Sequence, residues 1–355
     1  MLRTARIGAL LGALALVAVG CSGPAAIAPS AATPPTPVKF MVANPVINLG
    51  HVHLGVAEGQ GYYKEANVEV SYLTSPGTVA VVQGVAAGNA DMGQADTLAL
   101  DAAVAQGVGE VKAVCSYVAN NIYYLVVPED STIKSAADLK GKKVGLSSLA
   151  TGVFYNAQVM LKDAGIDPKD VAFVTIAQPA SQLEALRTKQ VDALSIIDVS
   201  VGTFRNAGAK LRLLQPAGAL QWQWNVVVAK ASFLRERPDA VAGVCRALQQ
   251  AELFVKTNPK KGIDAFKAWG GDLGGVPDDQ AVNVVLSRSD AGFRTYAEGK
   301  GKWGWLNVDA MDALGDLYFS LGLLAKKVSV KAAYTNDLLD KIQFDESRVK
   351  TQAGK

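Results

Sequence analysis

The stretch Val82–Asp91 recurs in pattern as Leu183–Asp192. Each copy reads as the end of a helix, a polar turn, then an apolar residue and an aspartate before a short strand. A second acid follows each copy, Asp96 in one and Asp198 in the other. A chain that repeats such a unit is constrained to two similar α/β halves. Halves that present equivalent strand ends to each other form a cleft. Open parallel sheets take ligands at the carboxyl ends of their strands.

The rest of the chain fits two such halves, and 355 residues is ample for them. Val38–Ala43 reads as a strand ending at Asn44-Pro45. A helix runs through His53 to Lys64, and Val68–Leu73 alternates as a second strand. Ser75-Pro76-Gly77-Thr78 opens a helix to Ala87, and Gln94–Thr97 starts another. Val111–Val118 and Tyr123–Val127 are further strands. After Glu129–Ser131 the pattern restarts. Strands Val171–Val174, Ala193–Ile197 and Leu211–Leu214 alternate with helices Ser181–Lys189 and Val199–Ala207. Trp224–Ala229 reads as a strand returning to the first half. From Ala240 the chain is mainly helical, and Thr351–Lys355 reads as a frayed polar tail.

Lys142–Tyr155 reads as a buried strand, a loop of small and hydroxyl residues, then a helix. Ser147, Ser148, Thr151 and Gly152 fall where the free N–H groups of the helix start point outward. Such an end attracts anionic or strongly polar groups. Ordinary N-capping by Ser148 or Thr151 accounts for the same residues.

The N-terminus carries an export signature. Arg3 and Arg6 precede a short apolar run, Ile7–Val19, and then Val17–Cys21 closes on small residues and a cysteine. This resembles a bacterial lipobox, with residues 1–20 as signal peptide and Cys21 as the lipidated residue. A conventional signal peptide cut nearby is the alternative. Residues 21–37, rich in Pro and Ala, then form a tether. The expected location is the periplasmic or cell-surface face of the cytoplasmic membrane. An exported compartment permits a disulfide, but Cys115 and Cys245 both lie in apolar runs and are read as two buried thiols.

Several chemistries are excluded. A net charge of +3 with interspersed signs leaves no nucleic-acid footprint. The only histidines, His51 and His53, are two apart on a helix and make a poor metal pair. Gly145–Leu149 begins like a nucleophile elbow but has Leu149 where glycine is required. No acid, base and nucleophile set assembles, so no enzyme, no metal and no cofactor is expected.

Several motifs in order carry a family likeness. They are Gly88–Asp96, Asp138-Leu139-Lys140-Gly141-Lys142-Lys143-Val144-Gly145, Ala185–Ala193, and Leu321-Gly322-Leu323 with Tyr334–Leu339. With the lipobox-like start and the Asn44-Pro45 strand end, they resemble the nitrate/sulfonate/taurine-type substrate-binding proteins of ABC importers. That group includes relatives that bind thiamine-precursor pyrimidines. The resemblance implies an α/β, two-lobe periplasmic-binding-protein fold of type II. Each lobe is a mostly parallel sheet flanked by helices, and two crossover strands, Tyr123–Glu129 and Leu220–Ala229, join them. Residues 38–125 and 225–350 would form lobe 1, residues 126–224 lobe 2, and 351–355 the tail. The implied partners are a small-molecule ligand, a permease and its ATPase, with a monomeric body held by its lipid anchor.

The implied ligand loops hold Asn44, Pro45, Ser75, Gly77, Gln94, Asp96, Thr97, Asn120, Asn121, Ser147, Ser148, Thr151, Gly152, Asp198, Gln223 and Trp224. Asn120-Asn121 also reads as a turn pair, and Asp96 and Asp198 as helix caps. Trp222 and Trp224 alternate, so one can face the cleft while the other packs inward. None of these loops supplies a pocket Arg or Lys. A zwitterion such as an aminosulfonate fits, its anion at Ser147–Gly152 and its ammonium at Asp198. A nitrogen heteroaromatic stacked on Trp224 or Tyr123 fits equally, and a carboxylate also fits. A ligand sensor and an enzyme of the pyrimidine-synthesis type are the competing classes.

Overall fold

The computed structural model describes residues 33–118, 121–149, 151–215, 222–298 and 302–354. The expected signal peptide, residues 1–20, and Cys21 lie outside the described residues, as does Asn120. The first strand, β1 (Thr36–Val42), begins inside the stretch read as tether. Val38, Phe40 and Val42 are buried and Pro37 and Lys39 exposed, the period expected of a strand, while Met41 is half-buried against the core.

After β1, a 3-10 turn at Leu49–His51 leads into α1 (Val52–Gly59) and α2 (Tyr62–Glu65). Gly61, at φ +76°, breaks the helix expected to run unbroken to Lys64. There follow β2 (Val68–Thr74), α3 (Thr78–Ala87), β3 (Met92–Asp96), α4 (Thr97–Ala105) and β4 (Val111–Val118). Gln94–Asp96, read as a helix start, is the end of β3 instead. All of Met92–Ala95 is buried between layers, which favours extended chain paired on both edges.

The second half holds β5 (Tyr123–Pro128), β6 (Lys143–Leu146), α5 (Gly152–Asp163), β7 (Ala172–Thr175), α6 (Pro179–Arg187), β8 (Ala193–Ile197), α7 (Asp198–Asn206) and β9 (Leu211–Leu213). The chain returns through β10 (Asn225–Lys230). It ends in α8 (Ala231–Glu236), α9 (Pro238–Thr257), α10 (Pro259–Ala268), α11 (Asp278–Glu298), α12 (Val308–Ser320), α13 (Leu339–Ile342) and α14 (Glu346–Gln352).

Two five-stranded sheets result, ordered β2-β1-β3-β10-β4 and β7-β6-β8-β5-β9. In each, three parallel strands meet one antiparallel strand, β10 in the first and β5 in the second. The sequence repeat is a structural repeat. The Asp91 carboxylate accepts from the Lys39 amide at 2.8 Å, and Asp192 accepts from the Lys143 amide at 2.8 Å. Each aspartate therefore ties the start of its own strand to the neighbouring parallel strand.

The chain passes from sheet to sheet between Val118 and Tyr123, and returns between Leu213 and Asn225. Tyr123–Leu125 thus lie in the second sheet and Asn225–Ala229 in the first. Helix α11 leans on α7 so closely that a Cβ on Gly202 would lie 2.8 Å from the Val284 Cα. A C-terminal helix thereby contacts the second lobe.

Two expectations are corrected. Cys115 and Cys245 are bonded as a disulfide, not free thiols. Strand β4 packs under α9 and brings their Cα atoms to 6.3 Å, within bridging range. The tail is docked rather than frayed. Gln352 accepts from the Tyr62 hydroxyl at 3.0 Å, and the Ala353 carbonyl accepts from Asn258 at 2.9 Å.

Candidate functional site between the two sheets

Tyr123 stands at the first residue of β5, where the chain enters the second sheet. Its ring meets Trp224 edge-on, with centroids 6.0 Å apart, at the point where the chain returns to the first sheet. On its other side its ring packs against Gly152, the first residue of α5. A Cβ there would lie 2.8 Å from Tyr123 Cζ. Glycine is therefore required at position 152 by close approach.

Around this seam the strand ends converge. Thr97 N–H donates to the Trp224 carbonyl at 3.0 Å, and Asp198 N–H donates to the Ile122 carbonyl at 2.9 Å. Gln94 donates to the Asn225 side-chain carbonyl at 3.3 Å. Among the described residues three buried polar atoms here lack a well-aligned hydrogen-bond partner: Gln94 Oε1, Asn225 Nδ2, which lies beside the Tyr123 side chain, and Trp224 Nε1. Exchanging O and N in both amides still leaves one acceptor and one donor. Each such buried group costs about 1–3 kcal/mol when unpaired, so a cluster of them in a folded protein calls for a cause.

The acids behave as structural residues. Asp96 caps α4 through the Ala99 amide at 3.0 Å and accepts from Thr78 at 3.1 Å. Burial raises its pKa, and those two bonds oppose the rise. Asp198 accepts from the Val199 amide at 2.7 Å and pairs with Arg288 at 2.7 Å. Burial raises its pKa and Arg288 pulls it back. Asp198 is thus not a free ammonium site. Asp198 does meet a cation, supplied by α11 rather than by the expected loops.

Other expected residues have partners within the protein. Ser75 donates to the Val42 carbonyl at 3.1 Å. Thr97 is fully buried against the Tyr318 hydroxyl at 3.1 Å. Asn121 accepts from the Tyr123 amide at 2.8 Å, an Asx-type turn. Gln223 clasps the Trp305 carbonyl at 2.6 Å and the Asn307 amide at 2.7 Å. Thr151 sits at the N-cap position of α5 but donates to the Ser148 carbonyl at 3.0 Å instead of capping. Ser147, Ser148, Gly77 and Asn44 are half-buried, and Pro45 is exposed. Trp222 and Trp224 are both buried, 5.7 Å apart, so neither presents an open face. The residues brought together are Gln94, Asp96, Gly152, Asp198 and Trp224. Asn225 and Arg288 join them unforeseen. A polar residue opening the apolar strand Asn225–Ala229 was a usable signal; Arg288, in an ordinary helix, gave none.

Behind Arg288 lies a buried polar group. His53 contacts the Tyr117 hydroxyl at 2.7 Å and Glu252 at 3.1 Å. His51 contacts Asn48 at 3.1 Å and lies 3.5 Å from the Asn44 amide. A water-sized cavity of about 10 Å³ separates Gly50, His53, Glu252 and Arg288. Burial, then Arg288, lowers the His51 pKa to about 4, and burial raises that of Glu252 to about 7. Among the described residues no cluster of His, Cys, Asp and Glu could hold a metal ion.

A family model described as NMT1/THI5 like matches residues 48–262. A Haemophilus influenzae protein named for thiamine biosynthesis is 28% identical over 233 residues, covering 63% of this chain and 70% of its own. A Brucella abortus protein named as a binding protein is 25% identical over 208 residues, covering 58% and 62%. The alignment thus spans less than two thirds of that relative. The periplasmic aliphatic sulphonate binding protein SsuA from Escherichia coli shares the fold, with TM-score 0.64 at 18% identity over 84% of this chain and 92% of its own. The periplasmic nitrate-binding protein NrtA from Synechocystis PCC 6803 also shares it, with TM-score 0.60 at 14% identity over 90% and 89%. The two-lobe fold of periplasmic binding proteins is therefore that of this chain.

Proposed function

Because the chain belongs to the NMT1/THI5-like family, we propose that it is a lipid-anchored extracytoplasmic solute-binding protein. It captures a small organic ligand between its lobes and delivers it to an ABC permease and ATPase. It is a binding protein, not an enzyme. Cys21 carries the lipid, and the body works as a monomer at the outer face of the cytoplasmic membrane.

The observation that carries this reading is the set of atoms without a well-aligned partner, Gln94 Oε1, Asn225 Nδ2 and Trp224 Nε1, on the seam between the sheets. A ligand that pairs with them removes their desolvation cost, and one that also contacts the second lobe favours the closed form. The Asn225 amide and the Trp224 indole donate to an acceptor-rich group such as a sulfonate, nitrate or carboxylate. From the second lobe, α5 offers its N-terminal end at Gly152, behind Ser147, Ser148 and Thr151. A second reading rests on the amide pair, which offers one donor beside one acceptor. That edge suits a nitrogen heteroaromatic such as a pyrimidine.

Thermal shift of the full chain in detergent tests both readings. The probes are sulfonates with nitrate, carboxylates, and pyrimidines. A ligand present at 100 times its dissociation constant stabilises the fold by about 2.7 kcal/mol. A shift from one set names the class, and no shift from any set removes the import reading.

A further inference from the structure

The Asp198–Arg288 contact sits where two lobes and a C-terminal helix meet. Asp198 opens α7 in the second lobe, and Arg288 comes from α11. A Cβ on Gly50, in the first lobe, would lie 3.4 Å from Arg288 Nη2 and 3.9 Å from Val199 Cγ1. Both side chains are enclosed, Asp198 at 1% exposure and Arg288 at 11%. Their 2.7 Å contact is an ion pair, not a well-aligned hydrogen bond. The other Asp198 oxygen is held by the Val199 amide. Asp96, the second acid of the seam, keeps its oxygens on Ala99 and Thr78. A ligand ammonium placed on Asp198 would lie beside the guanidinium, and like charges in a buried site repel strongly.

We propose that Arg288 is the residue that fixes ligand charge in this cleft. By occupying Asp198 it excludes ammonium-bearing solutes and admits neutral or anionic ones. The proposal rests on the solute-binding reading and narrows it: among sulfonates and carboxylates it selects those without an amine. Arg288→Gln uncovers a buried carboxylate, which then takes an ammonium as its counter-ion.

The test uses probe pairs that differ by one ammonium: ethanesulfonate against taurine, propionate against β-alanine. Each is titrated into the full chain, its R288Q variant and the D198N/R288Q double variant, with circular dichroism as the check of folding. The wild type is expected to bind the amine-free member at least tenfold more tightly. R288Q is expected to gain at least tenfold for the amine member, and D198N/R288Q to lose that gain. Equal response of the wild type to both members overturns the proposal. So does a folded R288Q with no gain for amines, or a gain that survives in the double variant. If the wild type responds to no probe, the import reading fails, while the response of R288Q to taurine and β-alanine still decides the role of Arg288. Arg288→Met, which keeps the apolar bulk, replaces R288Q if the latter does not fold.

Discussion

The ring of Tyr123 occupies the space in which a side chain at position 152 would begin, its Cζ 2.8 Å from the place of a Gly152 Cβ. One residue starts β5 in the second sheet, and the other starts α5 on the same lobe. Gly152→Ala is therefore expected to push Tyr123 toward Trp224. The overpacking should cost about 1–3 kcal/mol, read as a lower urea midpoint. Ligand affinity should fall as the seam deforms. The double variant Tyr123→Ala with Gly152→Ala should recover less than the full loss, because it removes the clash and leaves a cavity. A Gly152→Ala chain with unchanged midpoint and affinity would show that Tyr123 yields freely.

The Cys115–Cys245 bond closes a loop with a sequence separation of 130 residues and joins β4 to α9. Both cysteines are fully buried. Replacing both by serine or alanine is expected to destabilise the chain by about 3–5 kcal/mol. Urea unfolding with and without reductant measures it directly. Intact mass under non-reducing and reducing conditions checks the bond itself. Equal midpoints in the two conditions would remove its stabilising role.

Most of the framework was readable because it rests on local pattern. The repeat of Asp91 and Asp192 predicted two like halves, and both aspartates bind the neighbouring parallel strand in the same way. Strand period and glycine position located β1, β2 and β6 for the same reason. The site was less legible because its chemistry is assembled from distant chain segments. Asp198 looked free until α11 delivered Arg288 to it. Cys115 and Cys245 looked like core thiols because apolar surroundings suit a thiol and a disulfide equally. Gln223 looked like a ligand donor, yet Trp305 and Asn307 take up both ends of its amide. In each case the deciding partner lies too far along the chain for any local pattern to reveal it.

Trp224 and Gln223 are neighbours in sequence with opposite expected phenotypes. The Trp224 indole N–H has no partner among the described residues. Trp224→Phe should therefore lose mainly ring packing, about 1–2 kcal/mol of stability, but lower ligand affinity about tenfold, the equivalent of one hydrogen bond. Gln223→Ala strips two hydrogen bonds from the segment carrying Trp305 and Asn307. It should cost about 1–3 kcal/mol of stability and leave affinity nearly unchanged. Urea unfolding and isothermal titration on both variants separate the roles, and an inverted result would move the binding role from Trp224 to Gln223.

Glu252 carries the clearest pH signature. Burial raises its pKa from 4.5 to about 7, against an opposing pull from Arg288 and a further push from Asp198. It faces His53 on α1, Arg288 on α11 and, through His53, Tyr117 on β4. The folded state thus binds a proton more tightly than the unfolded chain. Its contribution to stability is fully present below pH 4.5 and is lost as pH rises through about 7. His51 runs the other way: its folded pKa is about 4, so its contribution is present above pH 6.5 and is lost as pH falls toward 4. Burial lowers the His53 pKa as well, with the same sign. Glu252→Gln removes the first effect and leaves His51 as it is. The variant should gain on the wild type by about 3 kcal/mol between pH 4.5 and pH 8, the free-energy equivalent of the raised pKa. Urea midpoints of both proteins across that range measure the difference. Parallel curves would mean that Glu252 stays ionised in the folded chain, held by Arg288.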